Sequence, residues 1–269
     1  MICFIHIERA GGSTMHNMLN YYIPGYVSLK PWYYWTNDTG NYLTQKELKS
    51  LQYFHPFLKG FGGHTTRHYL NYGDILRKDI KYFTFLREPI SRYLSHFQFQ
   101  RDKMNINRSL EAYIDEKKFN NYMTIRLAKI EDAEKAINEL DSKFIFVGIV
   151  EQYNESLLRL RNTLNWSFNP LYEKINEGNS KSSICFEGLP LNMQRKIIDN
   201  NSQDIILYNE YLKKFNQNSH FKNKPSLQEL DVFEKNLNSY QYNAVKRRFL
   251  RMKKGYNHFV SEPLSHLLR

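Results

Sequence analysis

The stretch Phe4-Ile5-His6-Ile7-Glu8-Arg9-Ala10-Gly11-Gly12-Ser13-Thr14 decides how this chain is read. An apolar run with strand character breaks into a short glycine-containing loop, and hydroxyl residues follow where a helix should begin. Such a turn makes an anion site, because unpaired N–H groups at the helix start point at the ligand and the helix dipole favours negative charge. Gly11 and Gly12 let the backbone approach closely, Ser13 and Thr14 are placed to cap the helix and donate hydrogen bonds, and Arg9 supplies a cation beside Ala10. The expectation is a phosphate-like ligand held by residues 9–14. For this loop taken alone, an ordinary capped turn is the plainer alternative.

What is missing narrows the chemistry. A nucleoside-triphosphate loop reads G-x-x-x-x-G-K-[ST], with a lysine directly before the hydroxyl that meets magnesium. Here the cation precedes the glycines and no lysine precedes Ser13. No apolar strand ending in a metal-binding aspartate stands out either.

A second segment, Lys81-Tyr82-Phe83-Thr84-Phe85-Leu86-Arg87-Glu88-Pro89-Ile90-Ser91-Arg92-Tyr93-Leu94-Ser95-His96-Phe97, repeats the plan. A β-rich run ends at Arg87, proline stands at a helix start, and Ile90, Tyr93, Leu94 and Phe97 recur at helical spacing. Ser95 lies two turns along and is placed to face the same crevice, since parallel α/β sheets bind ligands beyond the strand carboxyl ends.

These two segments resemble the paired signatures of sulfotransferases that use 3′-phosphoadenosine 5′-phosphosulfate (PAPS), in the branch of bacterial and Golgi carbohydrate enzymes. His6 to Thr14 is similar to H-I-P-K-T-G-G-T-S, and Phe85 to Phe97 to F-L-R-D-P-x-x-R-x-x-S-H-Y. Further likeness runs through Asn121-Tyr122-Met123-Thr124-Ile125-Arg126-Leu127-Ala128, Phe144-Ile145-Phe146-Val147-Gly148-Ile149 and the late pattern Asp204-Ile205-Ile206-Leu207-Tyr208, so it covers residues 1–215. The resemblance implies that Arg9, Ala10, Gly11, Gly12, Ser13 and Thr14 hold the 5′-phosphosulfate, while Arg87 and Ser95 hold the ribose 3′-phosphate. The residue types suit this, since arginine offers a bidentate fork to phosphate and serine an uncharged donor. Arg92 reads either as a further phosphate ligand or, better by spacing, as a solvated helix residue.

Sulfuryl transfer needs a base for the acceptor hydroxyl and fixed charge for the leaving phosphate, which cations and N–H groups supply without requiring a metal. Lys59-Gly60-Phe61-Gly62-Gly63-His64 is a short strand-like run with an imidazole at its tip, and the resemblance also points to the Gly63-His64 pair. His64 is therefore the candidate base and Arg9 the second catalytic residue. Two positions depart from the pattern. Arg9 replaces a lysine, so it stabilises charge but is a poor proton donor; Glu8 replaces a proline and either points away or pairs with a cation. His6, His68 and His96 read as supporting groups, and no metal site is expected.

Composition bounds the rest. At 269 residues, 41% hydrophobic and with 20 Tyr and 18 Phe, the chain has material for one large core. The fold expected is α/β, a P-loop-like parallel sheet flanked by helices, with a helical C-terminal region. Strands are expected near 2–7, 57–61, 82–87 and 144–149. Helices are expected near 13–22, 89–100, 109–117, 132–140, 153–164, 191–199, 204–215 and 226–238. The catalytic domain is placed at 1–215 and a basic helical extension packed on it at 216–269. The span from Tyr26 to Tyr53 reads as aromatic and irregular. Lys181, in a polar loop at 173–183, reads as a cofactor contact or as part of a surface loop.

The net charge of +11 comes from 38 basic against 27 acidic residues and suits a polyanionic donor and product (PAP) and an anionic glycan. Nucleic-acid binding is the rival explanation, with Tyr33-Tyr34-Trp35 as a stacking platform, but no nucleic-acid motif accompanies it. The tail cluster Lys246, Arg247, Arg248, Arg251, Lys253 and Lys254 beside Phe249, Leu250 and Met252 reads as a basic helix meeting a membrane surface or glycan, or as a solvated surface helix. With no apolar run of spanning length and no room for a leader, the expected location is cytoplasmic, free or at a membrane surface, or the Golgi lumen if an anchor precedes the chain. Two cysteines make no disulfide framework. The expected activity is PAPS-dependent sulfation of a carbohydrate or glycolipid hydroxyl. A small-molecule kinase with a divergent P-loop, or a non-catalytic basic glycan- or nucleic-acid-binding protein, is the alternative.

Overall fold

The computed structural model describes residues 1–29, 42–173, 184–217 and 224–261. Their order is β1 (Ile2–Ile5), α1 (Gly12–Tyr22), β2 (Tyr26–Leu29), α2 (Gln45–Phe54), β3 (Gly60–Gly63), α3 (Tyr72–Leu76), β4 (Lys81–Leu86) and α4 (Pro89–Met104). Then follow α5 (Leu110–Ile114), α6 (Tyr122–Ala128), α7 (Ala133–Lys143), β5 (Phe144–Ile149), α8 (Tyr153–Leu164), α9 (Leu191–Asn200), α10 (Ser202–Asn216), α11 (Leu227–Asn238) and α12 (Ala244–Tyr256). The strands form one five-stranded parallel sheet in the order β2-β3-β1-β4-β5, with helices around it.

Register is what builds the site. Ile5, the last residue of β1, lies opposite Gly63 of β3 on one side and Thr84 of β4 on the other. The segments leaving these strands therefore emerge side by side, one strand spacing apart, where the strand order reverses. All four β1 residues are buried, as expected of a strand covered on both faces.

Two parts of the sequence reading are corrected. The span from Tyr26 to Tyr53, where described, is not irregular, for it opens with the edge strand β2 and ends within α2. Four residues, Tyr-Val-Ser-Leu, are too few to show a period; their strand character comes from parallel pairing with β3. The start of α2 was legible: Thr44 accepts from the Glu47 N–H while Glu47 bonds back to Thr44, a reciprocal capping box. The strand expected at 57–61 is displaced to Gly60–Gly63, because glycines give no propensity signal and pairing on both sides overrides that. Tyr33, Tyr34 and Trp35 lie outside the described residues.

Capping explains α4. Pro89 occupies its first turn, and the Glu88 carboxylate accepts from the N–H groups of Ile90 (3.0 Å) and Ser91 (2.6 Å). The main core surrounds the sheet. A second cluster of Tyr93, Leu94, Phe97, Tyr113, Phe119 and Ile197 joins α4, α5 and α9. Phe233 and Leu237 carry α11 onto the main core. In α12, Leu250 packs with Tyr21 and Tyr242, and Lys253 Nζ donates to the Tyr26 carbonyl at 2.6 Å. No helix among the described residues is long and apolar enough to cross a membrane.

Candidate active site

The loop between β1 and α1 is held by two glycines for different reasons. Gly11 has φ +74°, a left-handed conformation that favours glycine, and a Cβ there would meet the Tyr153 ring at 2.8 Å. Tyr153 closes over it and donates its hydroxyl proton to the Gly11 carbonyl at 3.2 Å. Gly12 is needed for space alone, since a Cβ would lie 1.7 Å from His6 Nε2. Ala10 is buried and its N–H donates to the Ile7 carbonyl.

Ser13 and Thr14 are not the caps the sequence suggested. Gly11 is the N-cap of α1 and no side chain caps it. The two hydroxyl residues sit inside the first turn, Ser13 exposed and Thr14 half-buried, because the left-handed Gly11 starts the helix one residue earlier. No acidic residue occupies that turn, so its N–H groups keep their attraction for an anion.

Arg9, Arg87 and Ser95 form one cluster. Arg9 also adopts a left-handed φ, +65°, at a cost of about 1–2 kcal/mol of the kind that accumulates at functional sites. Its Nε donates to Ser95 Oγ at 3.0 Å, and Arg87 Nη1 donates to the Arg9 carbonyl at 3.0 Å. Arg9 also lies 4.9 Å from the Phe99 ring centroid. Among the described residues neither guanidinium has a carboxylate within ion-pair distance. Burial, and then the neighbouring Arg87, lower the Arg9 pKa; burial lowers that of Arg87 too, with Glu151 and Glu88 opposing it and Arg92 adding to it. The sequence placed Arg9 and Ser95 at opposite ends of a donor; the structure puts them in contact.

His64 follows β3 directly. Its carbonyl accepts from Arg67 Nη1 at 2.7 Å and from Arg126 Nη2, while Thr66 Oγ1 donates to the Gly63 and Phe4 carbonyls, so the backbone around it is clamped. Its ring stacks on His6, centroids 3.9 Å apart and planes at 30°. His6 in turn faces His16 (Nδ1 to Nε2, 3.2 Å), whose Nδ1 meets the Tyr26 hydroxyl at 2.9 Å.

Glu8 Oε1 stands 3.2 Å from His64 Nδ1, both side chains about one-fifth exposed, and Glu8 Oε2 accepts from the Tyr122 hydroxyl. Burial pushes His64 down in pKa; Glu8 and a hydrogen bond with the His6 backbone oppose this, Arg126 and Arg67 add to it, and the net shift is downward. Glu8 is raised by burial, yet His64, Arg126 and His96 outweigh that and hold it below its ordinary value. A neutral imidazole beside a charged carboxylate is the arrangement a general base requires.

Glu8 as His64's partner was left open by the sequence, and Tyr122, Arg126 and Tyr153 were assigned no role. Tyr122 and Arg126 fall in the 121–128 stretch whose likeness was noted, and the structure shows why it matters. Asp204 of α10 accepts from the Met123 (3.0 Å) and Thr124 (2.7 Å) N–H groups, capping α6 and so setting the helix that delivers both side chains.

Arg92 corrects the expectation of a solvated residue. It is 1% exposed, 5.1 Å from the Tyr122 ring, and its Nε and Nη2 find no hydrogen-bond partner among the described residues. The helical spacing of Ile90, Tyr93, Leu94 and Phe97 shows one buried flank of α4; the Tyr122 ring and α10 cover another. His68 pairs with Glu139 (3.0 Å) and His96 with the Tyr113 hydroxyl (2.8 Å). Lys181 lies outside the described residues. Among those described, no group of three or more His, Cys, Asp or Glu is placed to share a metal ion.

A family model described as the sulfotransferase family matches residues 1–212. The chain belongs to the sulfotransferase family, whose common chemistry is sulfuryl transfer. No curated protein matches it in a sequence search. The matched span contains both arginines, the glycine loop, His64 and the α6 segment that supports it.

Proposed function

We propose that this enzyme takes its sulfuryl group from PAPS and passes it to a hydroxyl of a carbohydrate or glycolipid, with His64 as base. The observation that carries the reading is the convergence of Arg9 and Arg87 on a helix N-terminus free of acid, with no carboxylate among the described residues within ion-pair distance of either. A donor that carries phosphate on both the 5′ and 3′ oxygens of one ribose asks for such a clustered cationic surface.

When bound, the donor supplies the sulfuryl group and its product is PAP. Arg9 and the N–H groups from Gly12 onward would hold the negative charge left on the 5′-phosphate as its oxygen–sulfur bond breaks and the acceptor oxygen bonds to sulfur. Arg87 and Ser95 hold the 3′-phosphate. Ser95 has capacity for this, because a hydroxyl that accepts from Arg9 still donates its own proton. His64 takes the acceptor proton, and Glu8 beside Nδ1 compensates the charge the ring acquires. Glu8 does not oppose the donor, for its oxygens are committed to His64 and Tyr122.

The acceptor class is supported by the likeness of both signatures to the carbohydrate branch. The test is transfer from PAPS to a panel of polysaccharide, oligosaccharide and glycolipid acceptors, with simple phenols as controls. Sulfation of a sugar hydroxyl supports the reading; sulfation of phenols alone overturns the acceptor class.

A further inference from the structure

The outward face of α12 is apolar. Val245, Phe249 and Met252 are 79%, 62% and 67% exposed and Tyr256 is exposed too; spaced four, three and four residues apart, they form one stripe along the helix. The opposite face holds the helix to the enzyme through Leu250, the Lys253 bond to Tyr26, and Lys254 Nζ on Asn17 Oδ1 at 2.7 Å. The expectation of a solvated basic helix is thus half right: the helix lies on the enzyme's own surface, but several of its cations face inward and its hydrophobes outward.

The stripe does not end with the helix. His55 bonds Ser261 Oγ at 3.0 Å and its ring stands edge-on to Tyr256, bringing alongside the loop that carries Phe57, 84% exposed. Arg248 and Arg251 are exposed on the flank of the stripe, with no carboxylate among the described residues in ion-pair range. No Asp or Glu occurs between Glu234 and Glu262.

We propose that this surface docks on an anionic lipid bilayer, the stripe entering the acyl boundary and Arg248 and Arg251 meeting the headgroups. A rim of one sign argues against a second copy of the chain, because a twofold contact would set arginines against arginines. A bare apolar stripe argues against a soluble polyanion, which gains nothing from it; apolar side chains beside cations suit a charged membrane surface. The docked helix leaves the cofactor loop clear. Lys253 anchors α12 at Tyr26, the start of β2, whereas the site lies beyond the ends of β1, β3 and β4.

The proposal is independent of the sulfotransferase mechanism and is tested on the full chain by sedimentation with vesicles. Wild type is expected to bind phosphatidylcholine vesicles carrying about 30 mol % phosphatidylglycerol, to release at high salt, and to ignore phosphatidylcholine alone. The double variant Arg248→Glu, Arg251→Glu should lower the partition coefficient at least about tenfold. Phe249→Glu with Met252→Glu should do the same, with thermal melting unchanged because both side chains are exposed. Equal partition onto neutral vesicles overturns the proposal. So does absence of vesicle binding, whether the protein is monomeric or forms a dimer that Phe249→Glu dissociates.

Discussion

Glu8 Oε1 lies 3.2 Å from His64 Nδ1, and the proline of the family pattern could offer no such partner. The carboxylate raises the affinity of His64 for a proton while burial lowers it, and burial wins. The sign for catalysis follows. A base acts when neutral, so the rate should rise with pH through an inflection below the ordinary histidine value of about 6.5 and then level off. Glu8→Gln removes the raising contribution, so the inflection moves to lower pH while the plateau falls. A pH–rate profile checks this; an inflection that stays in place or moves up would mean Glu8 does not act on His64.

His64→Ala should cut turnover by about 10²- to 10⁴-fold, the usual contribution of a positioned base. PAP binding should hardly change, because the ring stacks on His6 and meets Glu8 rather than Arg9 or Arg87. Steady-state rates and PAP titrations on the same preparation check the pair. Undiminished turnover removes His64 from the mechanism.

Gly12→Ala should destabilise the enzyme by about 1–3 kcal/mol, since the new methyl meets the His6 ring, itself stacked between Phe4 and His64. Gly11→Ala adds left-handed strain of about 1–2 kcal/mol to its clash with Tyr153. Urea unfolding measures both. A neutral Gly12→Ala would mean that the His6 ring is not fixed against the loop.

Much of this site was legible in the sequence because its chemistry is local. The strand–glycine–helix turn of residues 4–14 and the Arg87-to-Ser95 segment announce themselves through turn residues, proline and helical spacing. Register then places Ile5 between Gly63 and Thr84 and so gathers them, a fact carried by pairing rather than by composition. What was not legible is what depends on distant elements. Tyr122 reaches Glu8 only because Asp204, far along the chain, caps α6. Arg92 is buried where the Tyr122 ring and α10 lie against α4, which no spacing within α4 reveals. Likewise β2 is a strand through its neighbour β3.

Two half-buried histidines, His16 and His96, are expected to limit the stability of the fold in acid. Burial first, then nearby cations, push His96 down to about 4, and burial with His64 pushes His16 to about 3. These groups bind protons in the unfolded chain below about pH 6.5 but not in the native one, so stability falls as pH drops through that window. His96 alone accounts for on the order of 3 kcal/mol between pH 6.5 and 4. Replacing it with a neutral isostere, His96→Gln, should flatten the acid side of the stability curve in denaturant titrations. An unchanged slope between about pH 6 and about pH 4 would show that His96 titrates normally.

Whether Arg9, Arg87 and the helix start hold a nucleotide phosphorylated at both its 5′ and 3′ positions is decided by calorimetry. PAP and ATP are titrated into wild type and Arg87→Ala, with and without magnesium. PAP binding should ignore magnesium and weaken about ten- to a hundredfold in Arg87→Ala, the loss of one charge-assisted contact. Preference for ATP with magnesium would contradict it in favour of a kinase, and PAP affinity unchanged in Arg87→Ala would contradict the site.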